Sequence, residues 1–243
     1  MKRIVTIHAV SENAYSTKRL EKYIKTIRGM GFSFVDLQTI VNNTPIERRK
    51  SLIALTFDDG YLSTLRNAVP ILKKYNVPAT LFVPTGLMGF EAGDPHLLKH
   101  ECYKNEATMS MEDVKEWVSE GFGIGFHTHE HIDLYDSSDN QIINDFKEGL
   151  DVLRANGWAT PFFAYPKGFL PRNRKMFEKI LVENGFKFAF TINHGDVNEN
   201  NPYYINRVCL GNNESFLWSI MKTTGFLGDL YFKKWQQVNQ QLL

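Results

Sequence analysis

The sequence predicts an α/β fold, a closed or nearly closed β/α barrel of about seven or eight strands formed by one continuous domain. Three observations lead there. Apolar periodicity alternates along the chain between short runs of strand character and longer runs with helical spacing. Some of the short runs, Ser51 to Phe57 above all, are apolar at nearly every position, as parallel strands covered on both faces must be. Carboxylates and imidazoles gather just after the strand-like runs, where a β/α barrel carries its chemistry. At 243 residues, 43% hydrophobic and 23% charged, the chain has the length and composition of one large globular domain, which excludes disorder, collagen and coiled coil.

Ile4 to His8 is the first strand. A helix follows from Lys18 to Arg28, with Leu20, Tyr23, Ile24 and Ile27 on one face and Gly29 and Gly31 closing it. Phe32 to Leu37 reads as the second strand, Ser51 to Phe57 as the third, Leu62 to Tyr75 as a helix and Ala79 to Val83 as a strand. Gly89 to Met109 has no clear period. It holds Gly93, Asp94, Pro95 and Lys99-His100-Glu101, and reads as a long surface loop of the kind that borders a substrate site. Ser110-Met111-Glu112-Asp113 is a capping-box signature for a helix to Glu120, which Gly121 ends before a strand from Phe122 to Phe126. Asp139 to Ala155, Phe162 to Tyr165, Arg174 to Asn184, Phe188 to Ile192 and Tyr204 to Leu210 continue the alternation. The aromatic-rich stretch 214–243 is expected to pack on the barrel as closing helices. Its alternative is an amphipathic face edged by Lys222, Lys233 and Lys234 in peripheral contact with a membrane.

With 28 basic and 27 acidic residues the formal charge is +1, too little to hold a nucleic-acid backbone. Cys102 and Cys209 are too few for a disulfide scaffold. The opening apolar run breaks at His8, too early for a signal-peptide core, and no stretch is long enough to span a bilayer. A cytoplasmic protein, or one at the inner face of the membrane, is therefore expected.

Four features carry chemistry. Thr56-Phe57-Asp58-Asp59-Gly60 ends an apolar strand with two adjacent carboxylates and a turn-permitting glycine. One carboxylate can ligate a cation while its neighbour serves as a base, and the bland alternative is a turn in which an aspartate caps the next helix. In Phe126-His127-Thr128-His129-Glu130-His131, a helical turn would bring His127 and His131 to one side, able to share a metal, with His129 pointing away. His8 ends the first strand, and local sequence favours a hydrogen-bonded core residue over a catalytic one. In Phe163-Ala164-Tyr165-Pro166-Lys167-Gly168, Pro166 and Gly168 fix a turn whose plain reading is structural.

Together these motifs resemble the polysaccharide deacetylase family, also called the NodB-homology or carbohydrate esterase family four fold. The likeness runs from about His8 to Leu210: the Asp58-Asp59 segment matches the first motif and His127-Thr128-His129-Glu130-His131 the second. It implies a distorted (β/α) barrel of about seven strands, and metal-assisted removal of N-acetyl groups from an amino-sugar glycan or its precursor, in surface polysaccharide biosynthesis. Asp59, His127 and His131 would hold one divalent metal, zinc first, and Asp58 would act as base. Two departures mark a branch. Ala164 stands where many members place an arginine that orients the base, and no late Leu-x-His strand follows His131. Both features resemble the branch that includes poly-N-acetylglucosamine deacetylases, in which the histidine strand is N-terminal and His8 becomes the candidate general acid. Tyr61, Tyr165, Pro166, Lys167, Gly168 and Arg207 are the implied substrate-binding residues, with a backbone N–H near Lys167 as an oxyanion donor. Whether Arg207 supplies the missing orienting charge is left open by the sequence. The alternatives are a deformylase or deacetylase of a nucleotide- or lipid-linked sugar, or a catalytically silent carbohydrate-binding relative.

Overall fold

The protein is described by a computed structural model covering residues 1–42, 51–100, 105–198, 201–211 and 213–226. Its strands are β1 (Lys2–Ile7), β2 (Ser33–Phe34), β3 (Leu52–Phe57), β4 (Ala79–Val83), β5 (Gly123–Phe126), β6 (Phe162–Ala164), β7 (Phe188–Phe190) and β8 (Val208–Cys209). The helices are α1 (Thr17–Gly29), α2 (Leu37–Asn42), α3 (Val69–Lys74), α4 (Met111–Ser119), α5 (Asp139–Ala155), α6 (Arg174–Glu183) and α7 (Phe216–Thr224). All strand pairings are parallel, in the order β7-β6-β5-β4-β3-β1-β8. The short β2 takes the first half of the free edge of β3, at Leu52 and Ile53, and β4 takes over from Leu55.

The two edges of this sheet meet through one segment. Ile205 pairs with β7, donating to the Ala189 carbonyl (2.9 Å) and accepting from Thr191 N–H (2.8 Å). Three residues later Val208 and Cys209 pair with Val5 and Thr6 of β1. The expected strand Tyr204 to Leu210 is therefore divided between two neighbours. In the gap, the Asn198 side chain bonds Tyr204 O and Asn206 N–H, both at 2.8 Å.

Alternation along the strands separates two cores. Ile4, Leu52, Ala54, Phe82, Phe162, Ala164, Phe190 and Ile205 form one, the interior of the barrel. Val5, Ile7, Ile53, Leu55, Phe57 and Leu81 belong to a larger one with the helices, for example Leu20, Ile24 and Ile27 of α1. Burial on both faces is what the near-continuous apolar strands require.

Local signals fix most boundaries. The Ser110 box forms as read: its hydroxyl accepts from Asp113 N–H (3.1 Å), and the Asp113 carboxylate accepts from Ser110 N–H (2.8 Å). The expected strand Phe32 to Leu37 is shorter, because Asp36 accepts from Thr39 N–H (2.7 Å) and starts α2 at Leu37. The helix expected from Leu62 to Tyr75 begins as a π-helical turn, Thr64–Ala68, before α3. Pro70 has no N–H to donate and its ring would crowd a regular preceding turn. At the C-terminus α7 docks on α1: Tyr23 and Thr223 share a hydrogen bond (2.9 Å), and Arg19 donates to Ser219 (2.8 Å). The expectation for residues 227–243 lies outside the described residues. No described helix is long and apolar enough to cross a membrane.

Candidate active site

The strand ends that carry the sequence motifs converge at one mouth of the barrel. An extended chain would point Asp58 and Asp59 to opposite faces. Here Asp58 keeps strand register, its N–H bonded to Ile7 O (3.1 Å), whereas Asp59 and Gly60 turn left-handed at φ 73° and 67°. Aspartate tolerates that conformation, and glycine avoids crowding Val83, which an added Cβ would meet at 3.3 Å. Both carboxylates thereby reach the same cleft.

Asp59 Oδ1 lies 3.4 Å from His127 Nε2 and 3.2 Å from His131 Nε2. One donor atom from each of the three buried residues falls within 4.8 Å of the others, a set that fits a divalent cation. His127 Nδ1 donates to the Ala164 carbonyl (2.8 Å), which fixes the ring with Nε2 toward Asp59 and His131. Burial pushes the Asp59 carboxyl up, but His131, His127 and His8 outweigh it and hold the group well below the usual range. Burial also lowers His131 against the pull of Asp59, favouring the neutral imidazole that a ligand must be.

The helical turn expected to align the two histidines does not form. Thr128 and His131 take left-handed backbone (φ 64° and 48°), and a loop brings the imidazoles together. His129 does point away, its Nδ1 2.9 Å from Thr85 Oγ1.

Asp58 is held by Arg207, whose Nη1 and Nη2 donate to its two oxygens at 2.7 and 2.8 Å. The guanidinium is 0% exposed, donates from Nε to Thr191 O (3.0 Å) and lies over the Phe82 ring. Burial raises the Asp58 carboxyl, but Arg207, with His127 and His8, keeps it below its ordinary value. Arg207 therefore sets a charge beside Asp58 where Ala164 can set none; expected as a substrate-binding residue, it instead has its fork bonded inside the barrel.

The other sequence candidates divide. His8 is not a core residue: its side chain is 38% exposed, with Nε2 4.0 Å from Asp59 Oδ2. Burial opposes its charge, but Asp59, Cys209 and Asp58 raise it to about 10. Tyr165 is a correction. It is buried, donates to Tyr203 O (2.9 Å) and packs edge-on to Phe163, so it offers no surface to a substrate. Pro166 is buried too. Lys167 is exposed at φ 55° beside Gly168, whose left-handed turn leaves no room for a Cβ against Ile192 (2.2 Å). Tyr61 is buried, bridged to Thr108 and clustered with Ala9, Leu87 and Leu97, which ties down the long loop after β4.

Sequence reasoning singled out that loop but assigned no role to His100. Its ring meets His131 edge-on at 6.0 Å, and burial, followed by the charges of His131, His96 and Lys167, lowers it to about 4. Asp145, buried on α5, also went unnoticed, since a single aspartate in an amphipathic helix carries no local signal.

A three-donor set beside an ionised, anchored carboxylate is what a metal-assisted hydrolase needs. The polysaccharide deacetylase profile matches residues 46–189, and the chain belongs to that family. A poly-beta-1,6-N-acetyl-D-glucosamine N-deacetylase of Staphylococcus aureus is 27% identical over 231 residues, covering 89% of this chain and 74% of its own. The structure of IcaB from Ammonifex degensii superposes with a TM-score of 0.74 at 26% identity, covering 91% of this chain and 97% of that one. The Streptococcus pyogenes deacetylase PplD, in complex with acetate, shares the fold at a TM-score of 0.70 and 23% identity, over 91% and 96% of the two chains.

Proposed function

We propose that this polysaccharide N-deacetylase hydrolyses the N-acetyl amide of poly-β-1,6-linked N-acetylglucosamine, using one divalent metal, zinc first, held by Asp59, His127 and His131. The observation that carries the reading is the convergence of that donor set with the Asp58–Arg207 pair and His8 at one cleft. The Staphylococcus aureus relative, similar over most of both chains, supports the choice of polymer.

The metal, when bound, supplies Lewis acidity toward the carbonyl oxygen. Asp58 accepts the proton of the attacking water. Arg207 keeps Asp58 ionised between turnovers and fixes the direction of its oxygens. His8, on the far side of Asp59 from the two ligand histidines' strand, donates a proton to the departing nitrogen, without which an amine leaves poorly. Acetate and a free amino sugar result. The purified chain, freed of metal and reloaded with one equivalent of zinc, should release acetate from β-1,6-linked N-acetylglucosamine oligomers. Failure on these with turnover on a β-1,4-linked oligomer would reject the polymer assignment, and failure on both would reject the activity.

A further inference from the structure

We propose that Asp145 is a positioning residue for the metal site: its carboxylate clamps the backbone between His127 and His131 and so sets the separation of their imidazoles. The inference rests on the metal-centre reading above.

Asp145 is 7% exposed. Its Oδ1 accepts from His129 N–H at 2.7 Å and its Oδ2 from Glu130 N–H at 2.8 Å. These two amides sit midway between the ligands, so one carboxylate holds the whole bridge. The bridge needs holding. Thr128 and His131 are both left-handed (φ 64° and 48°), a conformation that side-chain-bearing residues keep only when their surroundings impose it.

The opposite side of the loop is held by the β4 end. Gly86 N–H donates to His129 O (2.8 Å), Thr85 N–H to Thr128 O (3.3 Å), and Thr85 Oγ1 meets His129 Nδ1 (2.9 Å). Asp145 completes the grip from α5. It reaches because that helix lies against the end of β5: a Cβ added at Gly149, one turn along, would fall 2.5 Å from Phe126 Cζ. Asp145 makes its bonds to backbone, not to the donor atoms, so it acts on the metal through loop geometry alone.

The test is zinc affinity of the metal-free full chain, measured by competition with a chromophoric chelator. Asp145→Asn can accept from one amide but sets its own N–H₂ against the other. Its zinc dissociation constant should rise about 10- to 100-fold, the usual effect of losing a group that orients a ligand. Hydrogen exchange at the His129 and Glu130 amides should quicken in the same variant without zinc. Leu153→Ala, a cavity two turns along the same helix, should lower the melting temperature yet leave zinc affinity within about twofold. Glu148→Gln, exposed on that helix and 3.7 Å from His129 Nε2, should alter neither. If Asp145→Asn does not fold, Asp145→Glu, with the carboxylate displaced by one methylene, takes its place with the same expected direction. Unchanged zinc affinity in the Asp145 variant, or an equal loss in Leu153→Ala, overturns the proposal. A parent chain that binds no zinc instead refutes the metal centre itself, a separable result.

Discussion

Replacing Arg207 with methionine keeps much of the side chain's apolar volume and removes the guanidinium that holds Asp58. Both Asp58 oxygens are bonded, at 2.7 and 2.8 Å, and both side chains are buried. Removing one partner of such a pair strands the other charge, a loss of about 3–5 kcal/mol. Against a total of roughly 5–15 kcal/mol for a domain, that is a large share. The pH dependence has a definite sign. Asp58 is depressed in the folded chain, so its contribution is present above the ordinary carboxylate range and fades as pH falls through the folded value. Urea unfolding of the metal-free parent and of Arg207→Met should therefore differ most near neutrality and converge in acid. The acid limb of the variant's residual activity should move to higher pH, because burial still raises Asp58 while Arg207, the largest of the charges opposing it, is gone and only His127 and His8 remain. The double variant Asp58→Leu/Arg207→Met should regain most of the lost stability, since no buried charge is left unpaired. Equal stability of parent and Arg207→Met at neutral pH, with an unmoved acid limb, would refute the reasoning.

Three further outcomes are expected. Asp58→Asn should bind zinc normally and lose turnover by about 10² to 10⁴-fold, and near-normal turnover would remove Asp58 as base. His127→Ala/His131→Ala should lose stoichiometric zinc and activity together, so full metal occupancy by atomic absorption would sink the ligand assignment. His8→Ala should keep its zinc and slow an N-acetyl substrate severely, while an acetyl ester with a good leaving group suffers much less; equal losses on both would exclude His8 as the acid.

The order of elements and the motif residues were legible in the sequence because their causes are local. Continuous apolar runs mark strands buried on both faces, and Ser110 and Asp113 cap a helix three residues apart. Asp59, His127 and His131 carry ligand chemistry wherever a strand end places them, so residue type and position already pointed to a metal. The route by which they meet was not legible: a helical turn and a left-handed loop both fit the spacing of His127 and His131, and packing against β4 and α5 chose the loop.

Other decisions belong to the tertiary structure alone. Arg207 stands 149 positions from Asp58, and only barrel closure through Ile205, Val208 and Cys209 turns it toward that carboxylate. The same closure limits β8 to two residues, since one segment must satisfy donors and acceptors on two strands. Tyr165 reads as a cleft residue by motif but is drawn into the core by its neighbours Phe163 and Phe177 and by the Tyr203 carbonyl. Which side of a strand faces a substrate, and which charge is stranded without which partner, depends on alternation, register and closure acting over the whole sheet. Those long-range constraints leave no mark in any short window of sequence.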